Sequence, residues 1–438
     1  MNAARDHEIT VIGGGIAGCA AALGAAATGA SVTLIEQRPD APTPLHETDL
    51  LAELIGSVDL GAATPDKASG LLRVELGELG CPLIQRSETA RIGEATVSVD
   101  RRGFAQAITD LIVEHAGVQV RQEQAETLPE GVVVLATGPT TWSPLARDIH
   151  RLVGAAFAFA FWGRAPLIQG EAIEAASTIR APRYPSADPN LFLPLTNGEM
   201  ADFVERLRTG ERIVVPGLAG DMLADETPLV EDLAADNVGK LKGQVLSGPR
   251  AHDEFDAPGA LRLAPDDHDW TRLSLADLMT TLTPDAQRHA LEAIPALADA
   301  ELVRPGMVQR LPYLGATGTL LSTLQLAEAP RVFAAGTLAG ALGYTEAIAT
   351  GHFAGLGAAR LVAGDEPMTA PVDSLLGGLC AAIADPPVGH SGLTQTNFGQ
   401  LPDSATDGES KEARRARQTK RALEVMREFS AAATTNTH

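Results

Sequence analysis

The spacing that most directly dictates a chemistry in this chain is Gly13-x-Gly15-x-x-Gly18. It follows a short β-branched apolar run, 9–12, and opens an alanine-rich stretch, 16–27, of helical character. That strand-to-helix context is what makes such a motif informative. Gly13 permits a tight turn, and Gly14 continues it. Gly15 lets the backbone approach a diphosphate, and Gly18 lets the helix pack against the sheet. The helix start supplies free N–H groups and positive potential to the phosphates. Glu36 follows a second strand, 31–35, where a carboxylate accepts hydrogen bonds from ribose hydroxyls and repels a 2′-phosphate. The site therefore suits FAD or NAD better than NADP.

Two later segments favour FAD. Ala136-Thr137-Gly138-Pro139 closes a buried strand, 132–135, with a glycine able to approach a ligand. A third strand, 332–335, ends at Gly336-Thr337 and runs through Gly340 to a helix expected over 346–362, beginning at Glu346. The start of that helix can face a flavin or its ribityl phosphate.

Other reactive residue types assemble nothing comparable. Cys19, Cys81 and Cys380 lie far apart with no C-x-x-C pair, which argues against zinc or iron–sulfur ligation and fits a reducing compartment. Cys19 reads as a small packing residue inside the first helix. Asp266-Asp267-His268-Asp269 cannot converge on one ion without a special loop and reads as a solvated acidic loop. No metal site and no catalytic residue is assigned. His46 is either a neighbour of the flavin or a structural hydrogen-bonding histidine. Arg101 either anchors a phosphate or carboxylate or makes a structural ion pair.

The elements that must position these groups form an α/β chain: a Rossmann-like, glutathione-reductase-like FAD domain with an inserted α+β domain. The expected division is 1–150 for the first part of the FAD domain, 151–325 for the insertion, 326–402 for the second part, and 403–438 for a polar linker and basic helix. Scattered prolines and strand-like runs such as 212–215 mark the insertion. The 438 residues suit two or three domains, and 45% hydrophobic with 21% charged residues is ordinary for a globular core. A formal charge of −22, from 56 acidic and 34 basic side chains, repels polyanions on average, so RNA would need a local basic patch. The expected helix over 411–429, with Lys411, Arg414, Arg415, Arg417, Lys420, Arg421 and Arg427, is one such candidate and equally a solvated helix with partner or self contacts. No apolar stretch is long enough for a bilayer, and the chain reads as cytoplasmic.

Taken in order, several segments resemble one family, the folate- and FAD-dependent tRNA (uracil-5-)methyltransferases. They are Val11-Ile12-Gly13-Gly14-Gly15-Ile16-Ala17-Gly18, Glu36-Gln37-Arg38-Pro39, Thr43-Pro44-Leu45-His46-Glu47-Thr48-Asp49 and Ala52-Glu53-Leu54. Val99-Asp100-Arg101, Gly103-Phe104, Ala136-Thr137-Gly138-Pro139, Gly336 with Thr337 and Gly340, Gly343-Tyr344 with Glu346, and Asn397-Phe398-Gly399 follow. The resemblance implies FAD held by these residues, Arg38 included. It implies a one-carbon unit from methylenetetrahydrofolate, a nicotinamide (NAD(P)H) reductant, and a tRNA uridine as substrate.

The family also uses two cysteines, and here their places are taken by Gly56 and, near Gly217-Leu218-Ala219, by Leu218. Val58-Asp59-Leu60-Gly61 replaces a polar, arginine-containing stretch, and Thr281, Thr283, Pro284 and Gln309 replace further family positions. A thiolate that adds to C6 of a pyrimidine activates C5, and neither glycine nor leucine can do so. The sequence thus points to a flavoprotein of the methyltransferase type whose uridine chemistry has lost its nucleophiles. The alternatives are a flavin oxidoreductase using folate or NAD(P)H, or a flavin-bearing RNA or protein binder.

Overall fold

The computed structural model describes residues 8–435, except 142, 155–156, 172, 174–176, 185, 219–226, 251–254, 387–392 and 403–408. Ala219 and most of the polar linker expected after 402 lie outside the described residues.

The glycine motif sits on a six-stranded sheet ordered Gln325–Leu326, Ala329–Ala334, Val132–Leu135, Glu8–Ile12, Ser31–Glu36, Val118–Gln122. All neighbours pair in parallel except Gln325–Leu326, which is an antiparallel edge. Ile12 stands between Ile35 and Leu135 in register, so the ends of the three central strands are level. Val11, Leu34, Val133 and Val134 are fully buried, as expected where helices cover both faces of a parallel sheet.

The Ile16–Ala26 helix is buried along its whole length. It lies against the Tyr344–Val362 helix so closely that a methyl group on Gly351 would come within 2.1 Å of the Ala17 carbonyl oxygen, and one on Gly355 within 2.2 Å of that of Ala21. Alanine and glycine dominate both helices because backbone meets backbone there, and larger side chains would overpack the contact.

A second sheet is antiparallel, ordered Leu302–Arg304, Leu167–Gln169, Arg272–Leu275, Gly259–Pro265, Pro189–Leu195, Ile179–Pro182. The helices Asn197–Thr209, Val230–Asp236 and Pro284–Leu291 contribute to its separate core, in which Phe203 and Leu207 meet Leu193, Leu261 and Leu275. The Asn197–Thr209 helix starts at a Thr196–Glu199 capping box, and the Pro284–Leu291 helix is capped by Thr283. Along the chain, the two sheets are joined through an antiparallel ribbon of Ala158–Arg164 with Met307–Tyr313.

Two expectations change. The run 212–215 is not a strand: Arg212 makes one isolated bridge to Leu282, and Val214 is 87% exposed. Apolar alternation there had no neighbouring ladder to join. The C-terminal helix, Lys411–Thr435, buries Ala422 and Met426. It ties Arg427 to Glu78 (2.9 Å) and Arg421 to Asp373 (3.2 Å). Among the described residues, no helix is long and apolar enough to cross a membrane.

Candidate functional site

Local sterics build the turn at 13–18. Gly13 adopts φ +106°, and a Cβ on it would lie 2.5 Å from the Ala136 carbonyl oxygen. Gly14 donates its N–H to Glu36 Oε2 at 2.7 Å. A Cβ on Gly18 would fall 1.7 Å from the Gly13 oxygen. Gly15 differs: it is the N-cap of the Ile16–Ala26 helix, no side chain caps that end, and a Cβ there would meet nothing within 4 Å. The open space is a cavity of about 1070 Å³, as large as the sites that hold extended cofactors.

Of the residues named from the sequence, Gly13, Gly15, Glu36, Thr137, Gly138, Gly336, Thr337 and Glu346 line this cavity. Gly14, Gly18, Arg38 and Gly340 are not on its wall and act from behind it. Arg38 is 2% exposed, donates Nε to Glu36 Oε1 (2.8 Å), and binds the carbonyls of Thr48 and Leu50. Burial works to raise the Glu36 carboxyl, but the Arg38 hydrogen bond and charge, with the Arg38 and Gly14 N–H groups, hold it below the ordinary range. Glu36 is therefore ionised. Gly138 (φ +54°) and Gly336 (φ +64°) use backbone that favours glycine. Gly336 donates to Thr350 Oγ1 at 2.9 Å. Glu346, raised by burial, accepts from the Thr396 N–H and hydroxyl.

Deeper in the cavity, residues that sequence reasoning had not singled out as site residues take over. Trp162 and Arg164, two apart on one strand, reach the wall beside Gly56 and Tyr344. A Cβ on Gly56 would lie 2.3 Å from Trp162 Cζ2. The Gly56 N–H donates to the Tyr344 hydroxyl at 2.7 Å. A Trp and an Arg alternating on a strand was the available signal, but nothing local says which face meets a ligand.

Asp266 is not solvated: it is 2% exposed and pairs with Arg101 through Nε (2.7 Å) and the terminal nitrogen (2.5 Å). Arg101 thus makes the structural ion pair and also holds the carbonyls of Leu54 and Gly56. His46 lines the cavity and contacts Thr43 Oγ1 at 2.6 Å. Burial, with Arg38 nearby, lowers it to about 3, so it is neutral.

The thiols are elsewhere. Cys19, Cys81 and Cys380 are all buried, and burial pushes each up to about 12. Cys19 Sγ–H points at the Gly14 carbonyl, 3.4 Å away. Leu218 packs against the buried pair Leu229 and Val308. On the part of the wall supplied by the second sheet and its loops, Arg180 lies over the Trp270 ring at 4.4 Å, and Arg183 and Arg262 share Asp277 at 2.7 Å each. Asp188 fastens this side to the other by accepting from the Ala95 (2.8 Å) and Thr96 (2.7 Å) N–H groups.

The fold is similar to that of GidA from Aquifex aeolicus, with a TM-score of 0.69 at 16% identity over 97% of this chain and 73% of that one. In sequence, the chain is 34% identical over 426 residues to the methylenetetrahydrofolate–tRNA-(uracil-5-)-methyltransferase TrmFO of Trichormus variabilis, covering 95% of this chain and 97% of that protein. It is 34% identical over 409 residues to the protein of that name from Deinococcus radiodurans, covering 91% and 87%. The family described as glucose inhibited division protein A matches residues 8–366. With a Rossmann-type parallel sheet, a glycine turn open to a large cavity, and this extent of similarity, the chain belongs to the glucose inhibited division protein A family, alongside the TrmFO methyltransferases.

Proposed function

We propose that the cavity holds FAD, with the diphosphate over the N-terminus of the Ile16–Ala26 helix and a ribose on Glu36. Gly15 carries this reading: it is the one glycine of the motif with no protein atom near its missing side chain, and that space opens into the cavity. Glu36 fits the role. It accepts from Gly14 N, Arg38 N and Arg38 Nε, which leaves about one of roughly four carboxylate lone-pair positions for a ribose hydroxyl. Thr137 and Thr337 add hydroxyls on the wall, Gly138 has open space where a Cβ would be, and Gly336 lets its strand end close on Ala17, 2.9 Å from where its own Cβ would lie. FAD, when bound, takes reducing equivalents from a reduced nicotinamide and delivers them to a second substrate.

A second reading concerns the use of that flavin. The relatives are named as methylenetetrahydrofolate-dependent tRNA (uracil-5-)methyltransferases, and addition to a pyrimidine ring calls for a thiolate. Here Gly56 is covered by Trp162, Leu218 has no thiol, and the three cysteines are buried near 12. These observations favour an FAD-dependent oxidoreductase that uses folate or NAD(P)H and does not methylate uridine. RNA contact through the C-terminal helix is a weaker expectation, because Arg417, Arg421 and Arg427 engage carboxylates of their own chain.

An absorption spectrum of the purified protein tests the first reading, with flavin bands expected after reconstitution. Incubation with methylenetetrahydrofolate, NAD(P)H and unmodified tRNA tests the second. Flavin turnover without methylated uridine is expected. Methylated uridine would return the chain to its relatives' activity, and an inert flavin with salt-sensitive RNA binding would make it a binding protein.

A further inference from the structure

The charges around Gly56 do not balance. Arg101 pairs with Asp266, while Glu47 serves both Arg304 (3.1 Å) and Arg272. Arg38 is paired with Glu36 and lies 3.7 Å from Glu53. Arg164, buried on the cavity wall at 4% exposure, has no carboxylate partner among the described residues. Its terminal nitrogens donate only to the carbonyls of Leu45 (3.0 Å) and Pro44 (3.3 Å), and its Nε is unpartnered. The cluster therefore holds five guanidiniums, Arg38, Arg101, Arg164, Arg272 and Arg304, against the four carboxylates of Glu36, Glu47, Glu53 and Asp266. Arg164 is thus the member with no carboxylate in direct contact, only the more distant Glu47 and Glu53 acting on it, a costly arrangement for a buried guanidinium unless an anion completes it. The crowding is felt at Arg304, which burial, with Arg101 and Arg164 nearby, depresses to about 10.

Two residues along the same strand from Arg164, and so roughly 6.6 Å away along the backbone, Trp162 presents an indole to the cavity with Gly56 behind it. Across the ribbon, Gln309 stands opposite Trp162 with an unpartnered, buried Nε2.

We propose that Trp162 and Arg164 form a recognition subsite for a planar substrate bearing a carboxylate, its flat body against the indole and its anion completing the arginine cluster. The anion can be a small free acid or the glutamyl carboxylate of a folate. This names the substrate class for the flavin site proposed above and rests on that reading only for one of its two readouts.

The test titrates benzoate and its neutral isostere benzamide into full-length protein reconstituted with FAD, followed by flavin absorbance and, separately, by tryptophan fluorescence. Benzoate is expected to bind about tenfold or more tightly than benzamide, as a charge-assisted hydrogen bond would give. Arg164→Gln removes that preference, and Arg164→Lys keeps part of it. Equal affinity for the two probes, no binding of either, or an Arg164→Gln protein that still prefers benzoate overturns the proposal. Should Arg164→Gln not fold, the wild-type comparison and Arg164→Lys decide. Displacement of benzoate by 5-formyltetrahydrofolate assigns the anion to a folate, and failure to displace assigns it to a small acid. A colourless protein whose fluorescence still separates benzoate from benzamide would sink the flavin reading and leave the subsite standing. A yellow protein that does not separate them does the reverse.

Discussion

Gly18 sits directly beneath the carbonyl of Gly13, with space for hydrogen only: a methyl group there would lie 1.7 Å from the oxygen. Gly15, between them in the chain, faces open space. The two positions should therefore fail differently. Gly18→Ala is expected to destabilise the fold by about 2 kcal/mol or more through overpacking. Gly15→Val should change stability by less than about 1 kcal/mol while weakening FAD at least tenfold. Denaturant unfolding and flavin titration of both variants check this. A Gly15→Val protein with normal flavin affinity would remove the diphosphate from that helix.

Restoring a cysteine at 56 should not restore a nucleophile. Its Cβ would collide with Trp162, so Gly56→Cys is expected to cost about 1–3 kcal/mol. Adding Trp162→Ala removes the colliding ring, and the double variant should be more stable than the sum of the single effects implies. Additive unfolding energies in that cycle would show that the two positions do not meet.

Ellman's reagent should find no reactive thiol in the native protein at pH 8 and all three after unfolding, because each cysteine is buried and raised to about 12. Fast labelling of any one in the folded state would put a thiolate back into the chemistry.

Glu75 offers a pH test. It is fully buried and accepts the N–H groups of Leu375 (2.8 Å) and Leu376 (2.9 Å) at the start of the Leu375–Ala384 helix. Burial outweighs those bonds and raises its carboxyl from 4.5 to about 7. The folded state thus binds this proton more tightly than the unfolded chain. Its stabilising effect is complete below about 4.5 and is lost as pH rises through about 7. Unfolding free energies from pH 4.5 to 8 should decline more steeply for the wild type than for Glu75→Gln, and parallel curves would contradict the assignment.

Four strands of the parallel sheet were legible because each carries its own signal: Val132–Leu135 and Ser31–Glu36 are apolar runs that need no knowledge of their neighbours, whereas the polar edge strand Val118–Gln122 and the two-residue Gln325–Leu326 were not read. The glycine turn was legible for the same reason, since its spacing is local. The antiparallel sheet was not read strand by strand. Its members are short and interrupted by Pro182, Pro194 and Pro265, and their pairing is fixed only by folding.

Charge partners were hidden by distance along the chain. Asp266 looked solvated until Arg101, 165 residues away, was found against it. Self contacts of the last helix were one expectation, but their partners, Asp373 and Glu78, lie 48 and 349 residues from Arg421 and Arg427 and could not be named from the sequence. Trp162 and Arg164 carry no motif, and only the cavity gives them meaning.

The strand Val132–Leu135 has Glu8–Ile12 on one side and Ala329–Ala334 on the other. On the ribosome, its second partner is 194 positions late (329 − 135), roughly 10–40 s at bacterial elongation rates. Throughout that interval a short, wholly apolar edge stands unpaired, a feature that invites edge-to-edge association. The nascent chain is therefore the aggregation-prone stage, and overexpression should profit more from slower synthesis or chaperone supply than from changes to the finished surface.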